Sequence, residues 1–84
     1  MKIKAAAIML EDGRVVSVDP PNRHPSIIML CQSRGWRLSG STQGFILENG
    51  EFVDRSEGLK IAKRENQILP GRGKEHQLYT EDLW

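Results

Sequence analysis

The side chains of this chain that could do chemistry are suited to binding an anion or a base rather than to catalysis. They are arginines on stiff or glycine-rich loops and at a helix start, together with a histidine and two aromatic rings. Arginine presents a planar fork of N–H donors that fits phosphate, and aromatic faces stack on bases. The predicted ligand-binding residues are Arg23, His24, Phe45, Arg55, Arg72 and Tyr79. Together these groups favour a small nucleotide as the ligand.

Charge argues against a nucleic-acid polymer as the partner. The 84 residues include 12 Lys plus Arg and 11 Asp plus Glu, which gives a formal net charge of +1. Proteins that coat DNA or RNA have a strong basic excess, because each cation that meets a phosphate releases counterions. Neither predicted helix has the layout of a helix-turn-helix reader. We therefore expect no nucleic-acid polymer among the partners.

Three of the candidate residues lie in loops that also have a plainer interpretation. Arg23 and His24 lie in the loop 19–25, which three prolines make stiff. This loop either presents the two side chains to an anion or is a connector that places Pro25 in the first turn of a helix. Arg72 stands between two glycines, in a segment that is either a phosphate contact or a flexible loop.

A hairpin and a helix cap determine the position of Arg55. Asn49-Gly50 between apolar runs predicts a β-hairpin with a type I′ turn, which needs positive φ at both central residues. Asp54 then predicts a helix N-cap, with Glu57 returning to its N–H as a capping box. The helix predicted from Arg55 to about Asn66 has Arg55 on its apolar arc. The guanidinium therefore extends to solvent, pairs with an internal carboxylate, or awaits an anionic ligand.

The chain has no arrangement of residues that is typical of an enzyme. His24 stands beside Arg23 and His76 two residues after Lys74, and no nucleophile elbow frames a serine. The one cysteine, Cys31, lies in a predicted helix, where packing is its expected role. No spacing of cysteine and histidine is typical of zinc. We expect a binding protein with no catalytic residues, no metal and no cofactor.

The periodicity of apolar residues predicts an α+β fold with a small antiparallel β-sheet and two α-helices. The predicted order is β-β-α-(β)-β-β-α-(β), where the brackets mark short strands at 36–38 and 77–79. In the first strand, Ile3–Leu10, the odd-numbered residues from Ile3 share one face. Its alanines at 5–7 either allow close approach by a helix or a partner chain, or are simply tolerated. The other predicted elements are strand Arg14–Val18, helix Pro25–Arg34 ending at Gly35, the hairpin Phe45–Val53 and the helix from Arg55.

A chain of this length forms one domain, 1–84, with a small core. Such a chain buries only about 60% of its unfolded surface, and its single cysteine allows no internal disulfide. We therefore expect oligomerisation to supplement the core. The absence of a signal peptide and of an apolar run near about 18 residues predicts a soluble, cytoplasmic protein. The tail 80–84 is acidic but ends in Leu83-Trp84, so it docks on its own domain or on a partner.

Several segments resemble the phage Thoeris anti-defence sponge family, whose members sequester cyclic ADP-ribose-type immune signals and are related to anti-CBASS cyclic-oligonucleotide sponges. The order and spacing of the segments, rather than any single motif, carry the resemblance, which covers most of the chain except 27–43. The segments are Arg23-His24, Gly44-Phe45, Gly50-x-Phe52-Val53-Asp54-Arg55-x-Glu57, Ile61-Ala62, Gln67-Ile68 and Leu78 to Trp84.

The resemblance implies a homodimer or a larger assembly such as a hexamer, with nucleotide pockets between subunits. It implies a phage protein that acts in the host bacterial cytoplasm and binds its messenger without cleaving it. It also implies an aromatic stack on Phe45 and phosphate contacts from Arg55, Arg72 and Arg23.

Two other functions remain open from the sequence. The first is a protein-interaction module that inhibits a host enzyme through the acidic, Trp-ended tail. The second is a nucleotide-processing enzyme, which the missing catalytic arrangement disfavours.

Overall fold

A four-stranded antiparallel sheet is the frame of the molecule. The computed structural model describes residues 1–84 and has the strand order β2-β1-β3-β4, with every neighbouring pair antiparallel. The elements are β1 Ile3–Met9, β2 Val15–Val18, α1 His24–Arg34, β3 Thr42–Leu47, β4 Phe52–Asp54, α2 Arg55–Arg64 and a 3₁₀ turn Thr80–Asp82. The α+β prediction and the order of its main elements are confirmed. No helix has the length and apolar character that crossing a membrane requires.

Both hairpins turn through three residues, and the predicted type I′ turn at Asn49-Gly50 is wrong. Gly50 has φ +86°, but Asn49 has no positive φ. Leu47 O accepts from Gly50 N at 2.8 Å, and Leu47 N donates to Glu51 O. Asn49 Oδ1 in turn accepts from Glu51 N at 2.9 Å. Because the asparagine side chain bonds this N–H, a type I turn followed by a left-handed glycine closes the hairpin.

A bulge near the start of β1 changes which residues share a face. The pairing with β3 shifts between Ile3 and Ala5, so that Ile3 pairs with Leu47 and lies on the face of Ala6. The prediction that Ile3 shares a face with the other odd-numbered residues is therefore wrong. The Gln67 side chain accepts from Ile3 N at 2.8 Å and donates to Ile3 O at 2.9 Å. This amide takes the place of a strand partner at the bulge.

Both helices pack on one face of the sheet, which we call the helix face. One core cluster joins this face to α2 and contains Ile3, Phe45, Leu47, Leu59, Ile61, Ala62 and Leu78. The other joins it to α1 and contains Ala6, Ile8, Leu10, Ile27 and Cys31. Cys31 is fully buried, as its packing role predicts. Each Å² of apolar surface that these two clusters remove from water contributes about 25 cal/mol to folding, and together they contain most of the buried apolar side chains.

The opposite face of the sheet, which we call the back face, packs against no helix. The strand register places on it Ala5, Ala7, Met9, Val15, Ser17, Thr42, Gly44, Ile46, Phe52 and Asp54. None of these residues belongs to either core cluster. The alanine run of β1 therefore divides, with Ala6 against α1 and the other two alanines on the back face.

Neither of the two bracketed strands forms. Trp36 instead packs on the α1 cluster, with the guanidinium carbons of Arg14 and Arg34 lying 5.3 and 5.8 Å from its ring centre. Leu78 N donates to Arg55 O at the start of α2, so residues 77–79 pair with a helix and not with the sheet. In both segments, tertiary contacts take the place of a strand partner.

Helix α2 ends at Arg64, two residues before the predicted end. Asn66 adopts a left-handed backbone with φ +56°. Gln67 N donates to Ala62 O at 2.9 Å, and Asn66 N donates to Lys63 O at 3.3 Å. This pair of bonds is a Schellman motif with asparagine in the usual glycine position.

Two glycines mark close approaches that fix the geometry around Phe45. A Cβ on Gly58 would lie 3.2 Å from Phe45 Cδ2 and 3.4 Å from Leu78 Cδ2, which explains a glycine inside α2. A Cβ on Gly44 would lie only 2.1 Å from Val53 O. No side chain fits at Gly44 unless β3 and β4 separate, so the hairpin can close here only around glycine.

Candidate functional site

The cap predicted at Asp54 forms and places Arg55 in the first turn of α2. Glu57 N donates to Asp54 Oδ1 at 2.8 Å, directly after the last residue of β4. The carboxylate of Glu57 lies 3.9 Å from Lys60 Nζ instead of returning to the Asp54 N–H, so the second half of the predicted capping box is wrong. Because the cap leaves no linker between strand and helix, the Arg55 side chain is directed at the start of β3.

The Arg55 guanidinium has an amide and an aromatic ring as partners. Its Nη2 donates to Gln43 Oε1 at 2.6 Å, and its Cζ lies 4.9 Å from the centre of the Tyr79 ring. Its Nε is buried and has no hydrogen-bond partner. No carboxylate pairs with it, so the internal ion pair considered above does not form. A buried donor without a partner costs about 1–3 kcal/mol, so this guanidinium is held in place with one of its donors unsatisfied.

A cleft of about 420 Å³ opens beside this guanidinium. We call it the Arg55 cleft; its lining is Ser41, Thr42, Gln43, Asp54, Arg55, Ser56 and Gln77. The lining offers hydroxyl and amide groups that can bond sugar hydroxyls and phosphate oxygens. Its only carboxylate, Asp54, already accepts the capping bond at the start of α2. The capping bond leaves the exposed Asp54 carboxylate charged, so the cleft carries one cation, Arg55, and one carboxylate.

A second cleft, of about 610 Å³, lies on the other side of Tyr79. We call it the Arg72 cleft; it is lined by residues 71–75 and by Tyr79, Glu81 and Asp82. Its two cations, Arg72 and Lys74, face three carboxylates, from Glu75, Glu81 and Asp82. This balance makes it the poorer of the two clefts for an anion. Tyr79 belongs to this lining, and its ring also lies against the Arg55 guanidinium, so one ring separates the two clefts.

Asp82 organises the Arg72 cleft, and the sequence analysis did not single it out. Its side chain is 8% exposed, and Arg72 Nε lies 3.7 Å from its Oδ1. Its Oδ1 accepts from Gly73 N at 3.2 Å, and its Oδ2 accepts from Tyr79 N at 2.9 Å. Its main-chain oxygen accepts from Leu69 N at 2.8 Å. One carboxylate thus ties the glycine-rich loop to the tail. The signal that the sequence offered for this residue was an acidic side chain directly before Leu83-Trp84.

Arg23 lines neither cleft and holds the end of the chain. Its Nη2 donates to the main-chain oxygen of Trp84, and Trp84 Nε1 donates to Asn22 O at 3.1 Å. The Trp84 side chain also packs on the α1 cluster. Of the two alternatives for the tail, docking on its own domain is the one observed. The Arg23 fork is engaged with the protein itself.

His24 and Phe45 lie inside the core, beneath the Arg55 cleft. Phe45 is fully buried, so its ring offers no exposed face for a stacked base. His24 is 4% exposed, and its ring meets Phe45 edge to face at 5.3 Å. Its Nε2 lies 2.8 Å from Gly44 O. Of the six predicted residues, the structure brings together Arg55, Tyr79 and Arg72, whereas the other three have structural contacts.

The buried environment of His24 lowers its pKa. Burial disfavours the imidazolium and is the largest cause; the nearby Arg55 charge acts in the same direction, and the bond with Gly44 O opposes both. The pKa of His24 is therefore lower than the ordinary histidine value of about 6.5. His24 is therefore neutral at neutral pH.

Replacing Asp82 by Asn tests its role in fixing the tail. The amide keeps one acceptor, but its NH₂ group faces a backbone N–H, so we expect a loss of about 1–3 kcal/mol in the free energy of unfolding. Urea denaturation measures the loss, and hydrogen exchange at the Gly73 and Tyr79 amides should accelerate. The matched control is Glu81→Gln, at the neighbouring exposed carboxylate, with an expected change below about 0.5 kcal/mol. Equal stabilities for the two variants would contradict this role.

The lowered pKa of His24 predicts that acid destabilises the fold. Between its folded and unfolded pKa values, His24 is protonated in the unfolded chain and neutral in the folded chain. Its contribution to the free energy of unfolding is therefore complete above pH about 7 and is lost as the pH falls from about 6.5 through the lower folded pKa. The slope from one proton is at most about 1.4 kcal/mol per pH unit. Urea denaturation from pH about 8 to 5 measures it, and NMR should place the His24 titration below pH about 6.5. A His24 midpoint above that value would refute the burial effect.

Comparison with known proteins gives a family. The chain matches the family model described as Phage T4 y16D protein over residues 2–84. No curated protein and no solved structure matches it. The matched range contains the sheet, both helices, both clefts and the docked tail. The chain therefore belongs to the phage T4 y16D protein family.

Proposed function

We propose that this phage-family protein binds and sequesters a cyclic nucleotide immune messenger of the host, a cyclic ADP-ribose isomer or a cyclic oligonucleotide, without cleaving it. The host bacterial cytoplasm, where such a messenger would be made, is the proposed place of action. The resemblance to anti-Thoeris and anti-CBASS sponges suggests the messenger class. The chemistry of the Arg55 cleft suggests an anionic ligand.

One observation carries the proposal: the Arg55 guanidinium is held in place but not fully bonded. Gln43 and the Tyr79 ring fix its plane, and its buried Nε has no partner. A phosphate oxygen in the Arg55 cleft would bond the part of the guanidinium that lines it, and such a charge-assisted hydrogen bond is about twice as strong as a neutral one. A preorganised fork loses little entropy when it binds, so its affinity for phosphate is high for a single residue.

The remaining parts of a nucleotide have suitable partners around Tyr79. Hydroxyl and amide groups of the Arg55 cleft, including Ser41 and Ser56, suit ribose hydroxyls. The side of the Tyr79 ring in the Arg72 cleft suits a stacked base, and a stacked base contributes about 1–3 kcal/mol. Arg72 is the proposed contact for a second phosphate, with Lys74 beside it. Phe45 is fully buried, so it is not the ring on which the ligand stacks.

Sequestration requires an affinity that the open clefts of one chain would not provide. A nanomolar Kd corresponds to about −12 kcal/mol, which for a single nucleotide calls for nearly complete enclosure. We therefore propose that the working form is a homodimer or a larger assembly such as a hexamer, in which a partner closes the cleft.

The side chains near the clefts are suited to holding a ligand more than to transforming it. His24 is buried with its Nε2 against Gly44 O, and the Asp54 carboxylate is occupied by the helix cap. Buried His24 is therefore not placed to accept a proton from a substrate in the Arg55 cleft. The alternative of a host-enzyme inhibitor assigned the contact to the Trp-ended tail. No observation favours it, because Trp84 packs on its own domain.

Calorimetric titration of cyclic ADP-ribose isomers and cyclic di- and trinucleotides tests the proposal. We expect one class to bind with Kd at or below about 1 µM, and Arg55→Gln to weaken it about 10- to 150-fold, since a charged hydrogen bond contributes about 1.5–3 kcal/mol. Arg55→Lys keeps the charge but loses the fork, so it should weaken binding about tenfold or more.

The matched control is Arg64→Gln, on the exposed end of the same helix, where the side chain is 63% exposed. It should change Kd less than about twofold. Failure of the wild-type protein to bind any member of the panel would overturn the proposal. Binding that Arg55→Gln leaves unchanged in a folded variant would overturn the assigned site.

A further inference from the structure

We propose that Gln43 is a second anion-binding residue of the Arg55 cleft, because its amide holds the guanidinium without neutralising it and offers its own N–H donor to the same ligand. This inference rests on the proposed function, since it concerns the same cleft, and it deepens that function by assigning a residue that determines which groups the cleft accepts. Three observations support it: the bond between the two side chains, the unbonded half of the amide, and the charges of the cleft.

The contact with Arg55 fixes which way the Gln43 amide faces. Arg55 Nη2 lies 2.6 Å from Gln43 Oε1. A guanidinium has only donors, so the atom of the amide that meets it must be the oxygen. The NH₂ group of Gln43 is therefore the branch of the amide that does not face Arg55. The orientation of this side chain follows from the chemistry of its partner.

The NH₂ group of Gln43 is available to a ligand. Gln43 lines the Arg55 cleft, and the bond to Arg55 is the one hydrogen bond that its side chain makes. The one buried side-chain nitrogen or oxygen without a partner is Arg55 Nε, so Gln43 Nε2 reaches solvent. An anion in the cleft can therefore meet a guanidinium and an amide donor together. The several acceptor oxygens of a phosphate suit such a pair of donors.

The sheet fixes the backbone of Gln43 from both sides. Gln43 pairs with Ile8 of β1. The next residue, Gly44, pairs with Asp54 of β4 at the close approach that only glycine allows. The side chain of Gln43 is half-buried between these neighbours. A donor that is held in this way loses little freedom when a ligand binds, which favours affinity.

The charges of the cleft explain why an amide suits position 43. The cleft carries one cation, Arg55, and one carboxylate, Asp54, and Arg55 takes part in no ion pair. A carboxylate at position 43 could accept the same bond, but it would pair with the guanidinium and give the cleft a net negative charge. Such a cleft would repel an anion. The neutral oxygen of Gln43 orients Arg55 and leaves its charge for the ligand.

Titration with inorganic phosphate, followed by NMR, tests the inference without any messenger. We expect the side-chain NH₂ signals of Gln43 and the guanidinium signals of Arg55 to shift together and to saturate at about 1–50 mM phosphate, as a single open site would. Absence of any shift at Gln43 would overturn the inference.

Replacing Gln43 by Glu separates an anion-binding role from a structural one. The new ion pair with Arg55 should leave the urea midpoint equal to or above that of the wild-type protein, while the affinity for phosphate should fall at least about tenfold. A structural role would move stability and affinity in the same direction. Gln43→Met removes the bond and the donor at similar length, so it should lower both. Unchanged phosphate affinity in folded Gln43→Glu would contradict the assigned role.

The matched control is Gln77→Glu, the same chemical change at an exposed residue that lines the same cleft and makes no bond with Arg55. Solvent screens an exposed charge, so the affinity should change less than about threefold. Equal weakening by both variants would overturn the special role of Gln43. Phosphate binding at Gln43 in a protein that binds no cyclic nucleotide would support this inference and overturn the proposed function. Cyclic-nucleotide binding without any shift at Gln43 would do the reverse.

Discussion

The buried carboxylate of Asp82 is the contact on which the arrangement of the candidate site depends. It accepts from the Gly73 and Tyr79 amides and lies beside Arg72, so it joins the glycine-rich loop to the tail. Without this link, residues 70–84 would be held by apolar side chains, by the clamp at Arg23 and by the backbone bonds from Leu78 N to Arg55 O and from Leu69 N to Asp82 O. Tyr79 would then no longer be fixed beneath the Arg55 guanidinium. A charged group that is buried with its bonds satisfied makes such a junction rigid, and it does so at the cost of desolvation.

The second constraint is the direct succession of hairpin, cap and helix. β4 ends at Asp54, which is also the N-cap of α2, so Arg55 has no freedom relative to the sheet. Gly44 and Gly58 allow the strands, the helix and Phe45 to approach closely, and any side chain there would displace them. The site is therefore built between rigid elements on one side and, on the other, a tail that the Asp82 carboxylate ties to the glycine-rich loop.

Much of the fold could be predicted because its signals are local. Asn49-Gly50 and the Asp54 cap mark the second hairpin and α2, and both were located correctly from a few neighbouring residues. The features that were missed depend on distant partners. The bulge at Ile3 is satisfied by Gln67, which lies 64 residues away, and the turn type at Asn49 depends on a side-chain bond that competes with the expected backbone geometry.

The candidate site was predictable to a smaller degree for the same reason. Arg55, Arg72 and Tyr79 could be selected by residue type, and the tail brings them together. His24 and Phe45 were selected by residue type in the same way, but sequence alone does not show that a sheet and two helices enclose them. Asp82 was overlooked because its importance lies in two backbone N–H groups that bond its carboxylate and a third that bonds its main-chain oxygen, contacts that only the folded tail creates.

The central claim is that this protein holds a cyclic nucleotide and releases it unchanged. The most direct measurement is to incubate the protein with cyclic ADP-ribose isomers and cyclic di- and trinucleotides, remove free ligand, denature the protein by heat and analyse the released fraction by mass spectrometry. The account predicts intact ligand in near-stoichiometric amount from the wild-type protein. An empty released fraction, or a ligand with altered mass, would contradict it.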